Sequence, residues 1–123
     1  ISASDKCRLI GRHDPLGDLF ANCELFLYTC ESEGFGLSIA EAIAAKLPVV
    51  STPQGIANDM RHAIERVSLD APISDWLNAI ERASQTPAEK RELHSREIFL
   101  RFPRKRHLLE WAAAITTAYH VSR

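Results

Sequence analysis

Glu31-Ser32-Glu33-Gly34-Phe35-Gly36-Leu37-Ser38-Ile39-Ala40-Glu41-Ala42-Ile43-Ala44-Ala45 is the stretch on which the reading of this chain turns. It follows Leu25-Phe26-Leu27-Tyr28-Thr29, an apolar, β-prone run without clean alternation, as suits a parallel strand covered on both faces. From about Leu37 to Lys46 the pattern is helical, and Ala40, Ala42, Ala44 and Ala45 suit close packing on a sheet. The loop between them therefore lies at the carboxyl edge of a sheet, where open α/β folds bind ligands. Gly34 and Gly36 remove side chains where the backbone must bend and a ligand must come close. The first N–H groups of the helix, near Leu37 and Ser38, point outward and with the helix dipole form a site for a phosphate or diphosphate.

Two carboxylates bracket that site. Glu33 precedes the glycines, and Glu41 lies about a turn into the helix, where side chains lean toward the amino end. A carboxylate beside phosphates is a poor ligand for them but a good acceptor for two adjacent hydroxyls, such as those of a ribose. Glu33 can do the same for sugar hydroxyls. The pairing fits a ligand with a diphosphate in the middle and polyols at both ends, a nucleoside diphosphate sugar. Taken singly, Glu41 is also explained as a solvated charge near the positive end of a helix, and the glycines as a tight turn. The whole constellation on one strand–loop–helix unit favours binding.

Working outward, Cys7-Arg8-Leu9-Ile10-Gly11 is predicted as a first strand. Asp14-Pro15 supplies an N-cap and a first-turn proline for a helix with Leu16, Leu19 and Phe20 on one face. Downstream, Leu47-Pro48-Val49-Val50-Ser51-Thr52 is a third strand, with Pro48 where a missing N–H is tolerated. Between Pro53 and Asp70 the pattern leaves open a short helix, a fourth strand, or both within Arg61–Leu69. Ser74 is expected to cap a helix carrying Trp76, Leu77 and Ile80, and Thr86-Pro87-Ala88-Glu89 to open another as a capping box. Pro103 breaks the chain before a last helix with Leu108, Ala112, Ile115 and Tyr119 on one face. Strand, helix, strand, helix, strand is the order of a parallel α/β sheet flanked by helices, here a partial Rossmann-like fold over residues 1–123. The start at Ile1, without Met and close to a strand-like run, is expected of a domain truncated on its amino-terminal side.

Composition narrows the function classes. Fifteen Lys plus Arg against sixteen Asp plus Glu give a net charge of −1, which makes no electrostatic case for nucleic acid as the partner. No apolar run approaches the ~20 residues of a membrane span. The cysteines at 7, 23 and 30 are expected to be reduced core residues of a cytoplasmic protein, and no metal site is expected of them. The five histidines, at 13, 62, 94, 107 and 120, fall singly and are expected on the solvated surface, while Trp76 and Trp111 are expected in cores. Arg101, Arg104, Lys105, Arg106 and His107 read as a solvated helix start that can also touch lipid headgroups, a peripheral membrane contact.

The run Glu33-Gly-Phe-Gly-Leu-Ser-Ile-Ala-Glu41 resembles the Glu-x7-Glu motif of retaining glycosyltransferases with the GT-B fold, the glycogen-synthase-like and sucrose-synthase-like group. Leu9-Ile10-Gly11, the helix 16–22 and residues 23–29 are similar to that family's lead-in. Ala42 to Pro53 resembles its continuation, and Phe102 to Tyr119 its closing helix. The resemblance implies a C-terminal donor-binding domain, with a separate acceptor-binding domain lying outside this chain. It implies that Glu33 contacts the transferred sugar as the catalytic carboxylate and that Glu41 accepts the ribose hydroxyls. Backbone groups from Gly34 through Phe35 and Gly36 to Leu37 would face the sugar, the N–H groups of Leu37 and Ser38 the diphosphate, and Gly11, Arg12 and His13 the base. No cofactor is implied beyond the nucleotide-sugar donor, and no Asp-x-Asp occurs. The family's Arg and Lys for the diphosphate have no match here, and its Gly-Gly…Pro-Glu loop is replaced by Pro53-Gln54-Gly55-Ile56-Ala57-Asn58-Asp59.

Rival readings fit less well. In a dinucleotide fingerprint the third glycine position falls on Ile39, and the segment where the ribose-binding acid belongs reads Thr52-Pro53-Gln54-Gly55. Ser38 stands in Gly-Leu-Ser-Ile-Ala, which is not a nucleophile elbow. A non-catalytic Rossmann-like nucleotide-binding or interaction module is the alternative that stays open.

Overall fold

A computed structural model describes residues 3–13 and 16–102. The expected cap at Asp14-Pro15, the break at Pro103, the basic run from Arg104, Trp111 and the last helix lie outside the described residues. After a 3₁₀ turn at Ala3–Lys6, the elements run in order α1 (Leu16–Phe20), β1 (Phe26–Tyr28), α2 (Leu37–Ala44), β2 (Val49–Ser51), α3 (Ile56–Asp59), β3 (Ile64–Arg66), α4 (Ile73–Ser84) and α5 (Ala88–Arg101). The three strands form one parallel sheet in the order β1-β2-β3, with Phe26 opposite Val49 and Val49 opposite Ile64. The protein is thus an α/β fold with a parallel sheet flanked by helices, consistent with a partial Rossmann-like domain.

Alternation along β2 explains the layering. Val49 and Val50 are both buried but point to opposite faces. On one face Val49 joins Ile39, Ala42 and Ile43 of α2, Ile56 and Ala57 of α3, Ile64 of β3, Phe20 of α1 and Ile98 of α5. On the other, Val50 meets Val67 and the inner face of α4, Trp76, Ala79 and Ala83. Two apolar layers on one central strand are why this strand is a continuous apolar run.

Helix α5 is fixed to α2 by a polar clasp. The buried Ser95 hydroxyl donates to the carbonyl of Ala44 at 2.8 Å, and Arg91 Nη1 donates to the carbonyl of Lys46 at 3.2 Å. Lys46 takes φ +64° as the chain leaves α2, and its Nζ pairs with Glu92 at 2.5 Å.

Several expectations are corrected. Residues 7–11 form no strand: Leu9 is fully exposed, Ile10 is 44% exposed and no described strand pairs with this run. Among the described residues the apolar side chains there have no layer to bury against, so the local pattern does not decide the structure. For the same reason Cys7 is exposed. Cys23 is exposed too, its Sγ donating to the Leu19 carbonyl at the end of α1, and Cys30 is half-buried, so none of the three free thiols is a core residue. Ser74 lies inside α4, which begins at Ile73 after Pro72 with no side-chain cap, and Leu77 faces outward at 59% exposure. Thr86 makes no capping bond either, since α5 starts at Ala88 after Pro87. His94 is buried on the inner face of α5 rather than solvated. The open question at 61–69 resolves to strand β3, with the single turn α3 before it.

Candidate functional site

The loop that leaves β1 is tied down before it reaches the glycines. Thr52, one residue past β2 and only 1% exposed, holds Cys30 from both sides. Its Oγ1 donates to the Cys30 carbonyl at 2.8 Å and accepts the Cys30 N–H at 3.2 Å. Beyond that clasp the chain reaches Glu33, whose carboxylate accepts the hydroxyl of Tyr28 at the end of β1. This pairing holds the Glu33 carboxyl below the usual carboxylate range. The N–H groups of Gly36, Gly34 and Phe35 pull the same way, and partial burial opposes them. The effect on Tyr28 is opposite, its pKa being pushed up to about 12 chiefly by the bond to Glu33 and then by burial.

Gly36 makes the turn into α2. It takes φ +87°, a conformation that strains any L side chain, and stands at the N-cap with no side-chain cap. The first helix N–H groups to find a backbone acceptor are those of Ile39 and Ala40, both at 3.1 Å from the Gly36 carbonyl. The N–H groups of Leu37 and Ser38 precede them, as the orphan donors of a helix start do. Leu37 is exposed and Ser38 half-buried. Glu41, one turn on, is exposed, and among the described residues its carboxylate takes part in no hydrogen bond or ion pair.

The loop is supported from beneath. The N–H of Ile56 donates to the Phe35 carbonyl at 2.7 Å, which brings Gly55 so close that a Cβ there would lie 2.5 Å from that oxygen. The Phe35 ring packs edge-on against Phe102 at the end of α5, with centroids 5.1 Å apart. Tyr28, Thr52, Gly55 and Phe102 are the supporting residues that sequence reasoning missed. One signal was available for Tyr28: the two-residue period places it with Phe26 on one face at the strand's carboxyl end, beside the loop.

The structure thus brings Glu33, Gly34, Phe35, Gly36, Leu37, Ser38 and Glu41 together at one helix start. Gly11, Arg12 and His13 lie on an exposed stretch, and no hydrogen bond or ion pair among the described residues ties them to that loop. Among the described residues no group of three or more His, Cys, Asp or Glu side chains is placed to hold a metal ion. No helix among them is long and apolar enough to cross a membrane.

Residues 2–85, well over half of the chain, match the family model described as "Glycosyl transferases group 1". The chain belongs to that family. The match takes in all three strands and the whole Glu33–Glu41 segment of this group 1 glycosyltransferase, and stops just before α5. The chain is also 44% identical over 48 residues to the "UDP-N-acetylglucosamine--peptide N-acetylglucosaminyltransferase GtfA subunit" of Streptococcus gordonii. That similarity covers 39% of this chain and 9% of the relative's own length. No solved structure gives a significant match.

Proposed function

We propose that this chain is the donor-binding, C-terminal part of a retaining GT-B glycosyltransferase, and that residues 33–41 hold the nucleoside diphosphate sugar. The observation that carries the reading is the left-handed turn at Gly36. It sets a charged Glu33 carboxylate, the orphan N–H groups of Leu37 and Ser38 and the unpartnered Glu41 at one helix start on the carboxyl edge of the sheet. The diphosphate lies against the helix N–H groups, which stabilise the charge that builds on it as the bond from the sugar's anomeric carbon to phosphate breaks. Glu41 accepts the ribose hydroxyls and Glu33 those of the transferred sugar, with Gly34 and Phe35 lining its approach. The electron pair leaves with the nucleoside diphosphate, and the acceptor oxygen, losing its proton to the departing phosphate, bonds to the anomeric carbon with retention. The acceptor and its groups come from a second domain whose closure completes the site. Gly11 and Arg12 meet the base when the donor is bound. Three free thiols suit a reducing, cytoplasmic setting.

The name of the streptococcal relative makes UDP-N-acetylglucosamine the first donor to try, beside UDP, GDP, ADP and their other sugar conjugates. In an amide NMR titration at millimolar ligand, one of these is expected to shift resonances clustered from Glu33 to Glu41. Glu41→Ala should weaken that binding about tenfold, one charge-assisted pair of hydrogen bonds, while leaving thermal stability within about 0.5 kcal/mol because the side chain is exposed. If Glu41→Ala binds like wild type, or if it unfolds the domain, Glu41 is a helix residue and nothing more.

A further inference from the structure

We infer that a second subsite, separate from the donor loop, takes a carbohydrate in the open hollow at the carboxyl edge of the sheet. The hollow has a volume of ≈ 350 Å³, and the ends of all three strands wall it: Glu31 after β1, Pro53 and Gln54 after β2, Leu69 and Asp70 after β3. Its frame is rigid. Besides the two-way clasp of Thr52 on Cys30, the Gln54 N–H donates to the Thr52 carbonyl at 2.8 Å and the Ser68 hydroxyl donates to the Asp70 carboxylate. That last bond keeps Asp70 charged, its carboxyl lying below the usual range.

The lining divides as a pyranose does. Two carboxylates and a primary amide match hydroxyls on the ring's rim, and the apolar surface of Pro53 and of Leu69, 49% exposed, matches its C–H face. Among the described residues the side chains of Glu31 and Gln54 have no hydrogen-bond partner, so a ligand takes up their capacity without breaking a protein bond. No Lys, Arg or His among the described residues lines the hollow. Two negative charges with no cation beside them repel a diphosphate and accept a neutral sugar. The donor's phosphates are thereby directed to the α2 helix start and a neutral sugar ring to the hollow. Sugar binding in the hollow does not rest on the donor reading of residues 33–41.

The test is an amide NMR titration of the full 123-residue chain with methyl glucoside, methyl galactoside and methyl N-acetylglucosaminide. These are added to about 100 mM, the range of weak single-sugar affinities, with inorganic phosphate as the anionic control. At least one glycoside is expected to shift Glu31, Gln54, Leu69 and Asp70 in a saturable way, and phosphate to leave them still. Asp70→Asn and Glu31→Gln, both at exposed positions, should each weaken the glycoside about threefold or more. No shift with any glycoside, or a shift of the same residues by phosphate, overturns the subsite. Glycoside and UDP should bind together, and mutual exclusion overturns the claim that the subsite is separate from the donor loop. UDP shifts at 33–41 are read in the same spectra, so failure of the hollow leaves the donor reading standing, and their absence fails the donor reading alone.

Discussion

A methyl group at Gly55 would meet the carbonyl oxygen of Phe35 at 2.5 Å, and the backbone there sits at φ +51°, ψ −134°, outside the range of L side chains. Neither problem is relieved by rotating a side chain. Gly55→Ala should therefore cost about 2 kcal/mol or more, read as a lowered urea midpoint, and should move the amide of Phe35. An unchanged midpoint would mean that the loop yields freely and supports nothing. At Tyr28 the effect is electrostatic. Glu33 titrates below its ordinary value of 4.5 when folded, so the linked stability is present above that value and is lost as pH falls through the folded pKa. In Tyr28→Phe the Glu33 pKa should rise toward 4.5, as followed by carboxyl carbon NMR, and that acid sensitivity should shrink. If it stays put, the N–H groups of the glycine loop, not the hydroxyl, set the carboxylate. The chemistry of Glu33, Gly36 and Glu41 was legible in sequence because it follows from spacing at a helix start. Gly55 was not, because its reason is a carbonyl twenty residues away, and Thr52 likewise acts on Cys30 across two strands.

Among the elements, α5 carries the clearest pH dependence. The His94 ring lies 5.5 Å from that of His62, whose Nε2 is paired with Glu97 at 2.6 Å. Arg61, Glu65 and Lys90 face the same small cavity at the amino edge of the sheet. Burial, then His62 and Lys90, push the His94 pKa down, and Glu97 opposes them. A base with a lowered folded pKa is protonated first in the unfolded chain. Its stabilising effect is complete above the ordinary value of 6.5 and is lost as pH falls below it. Glu97, held low first by His62, adds a loss of the same sign further into acid. The urea midpoint should thus be lower near pH 5.5 than near pH 7.5, with α5 amides exchanging first, and His94→Gln should flatten the difference. A wild-type midpoint that does not change over this interval would refute the account. Helices and parallel strands were legible where two signals agreed, as at α2 and β2. At residues 7–11 an apolar run alone misled, since a strand needs a neighbour and none of the described strands supplies one. At Ser74 and Thr86 a capping residue was present, but a proline two positions before Ser74 and one after Thr86 already sets the start of each helix.

For the molecule as a whole, the two apolar layers share β2, and the Glu33–Glu41 loop and the hollow lie on the same edge of the sheet. That edge was foreseeable from the strand–helix order alone. The distribution of its charge was not, because Glu31 and Asp70 are 39 positions apart and meet only when β1 and β3 flank one strand. The edge is open, and the segment that matches the streptococcal relative amounts to only 9% of that relative's length. Transfer requires water to be excluded and an acceptor to be oriented, which one open edge does not achieve. The 123-residue chain by itself should transfer no sugar from any nucleotide donor above the uncatalysed background, as checked by release of nucleoside diphosphate dependent on an acceptor. Turnover by the pure chain would disprove the need for a second domain.

The contact of Phe35 with Phe102 has one more consequence. It joins the middle of the glycine loop to the point where the chain leaves α5, beyond the stretch shared with the family. A ring that settles differently when a sugar nucleotide occupies the loop displaces its partner ring. By reciprocity, a substitution at Phe102 that loosens this contact should alter the loop's affinity for the nucleotide. Phe102 is in effect a keel for the loop, steering it from the far side.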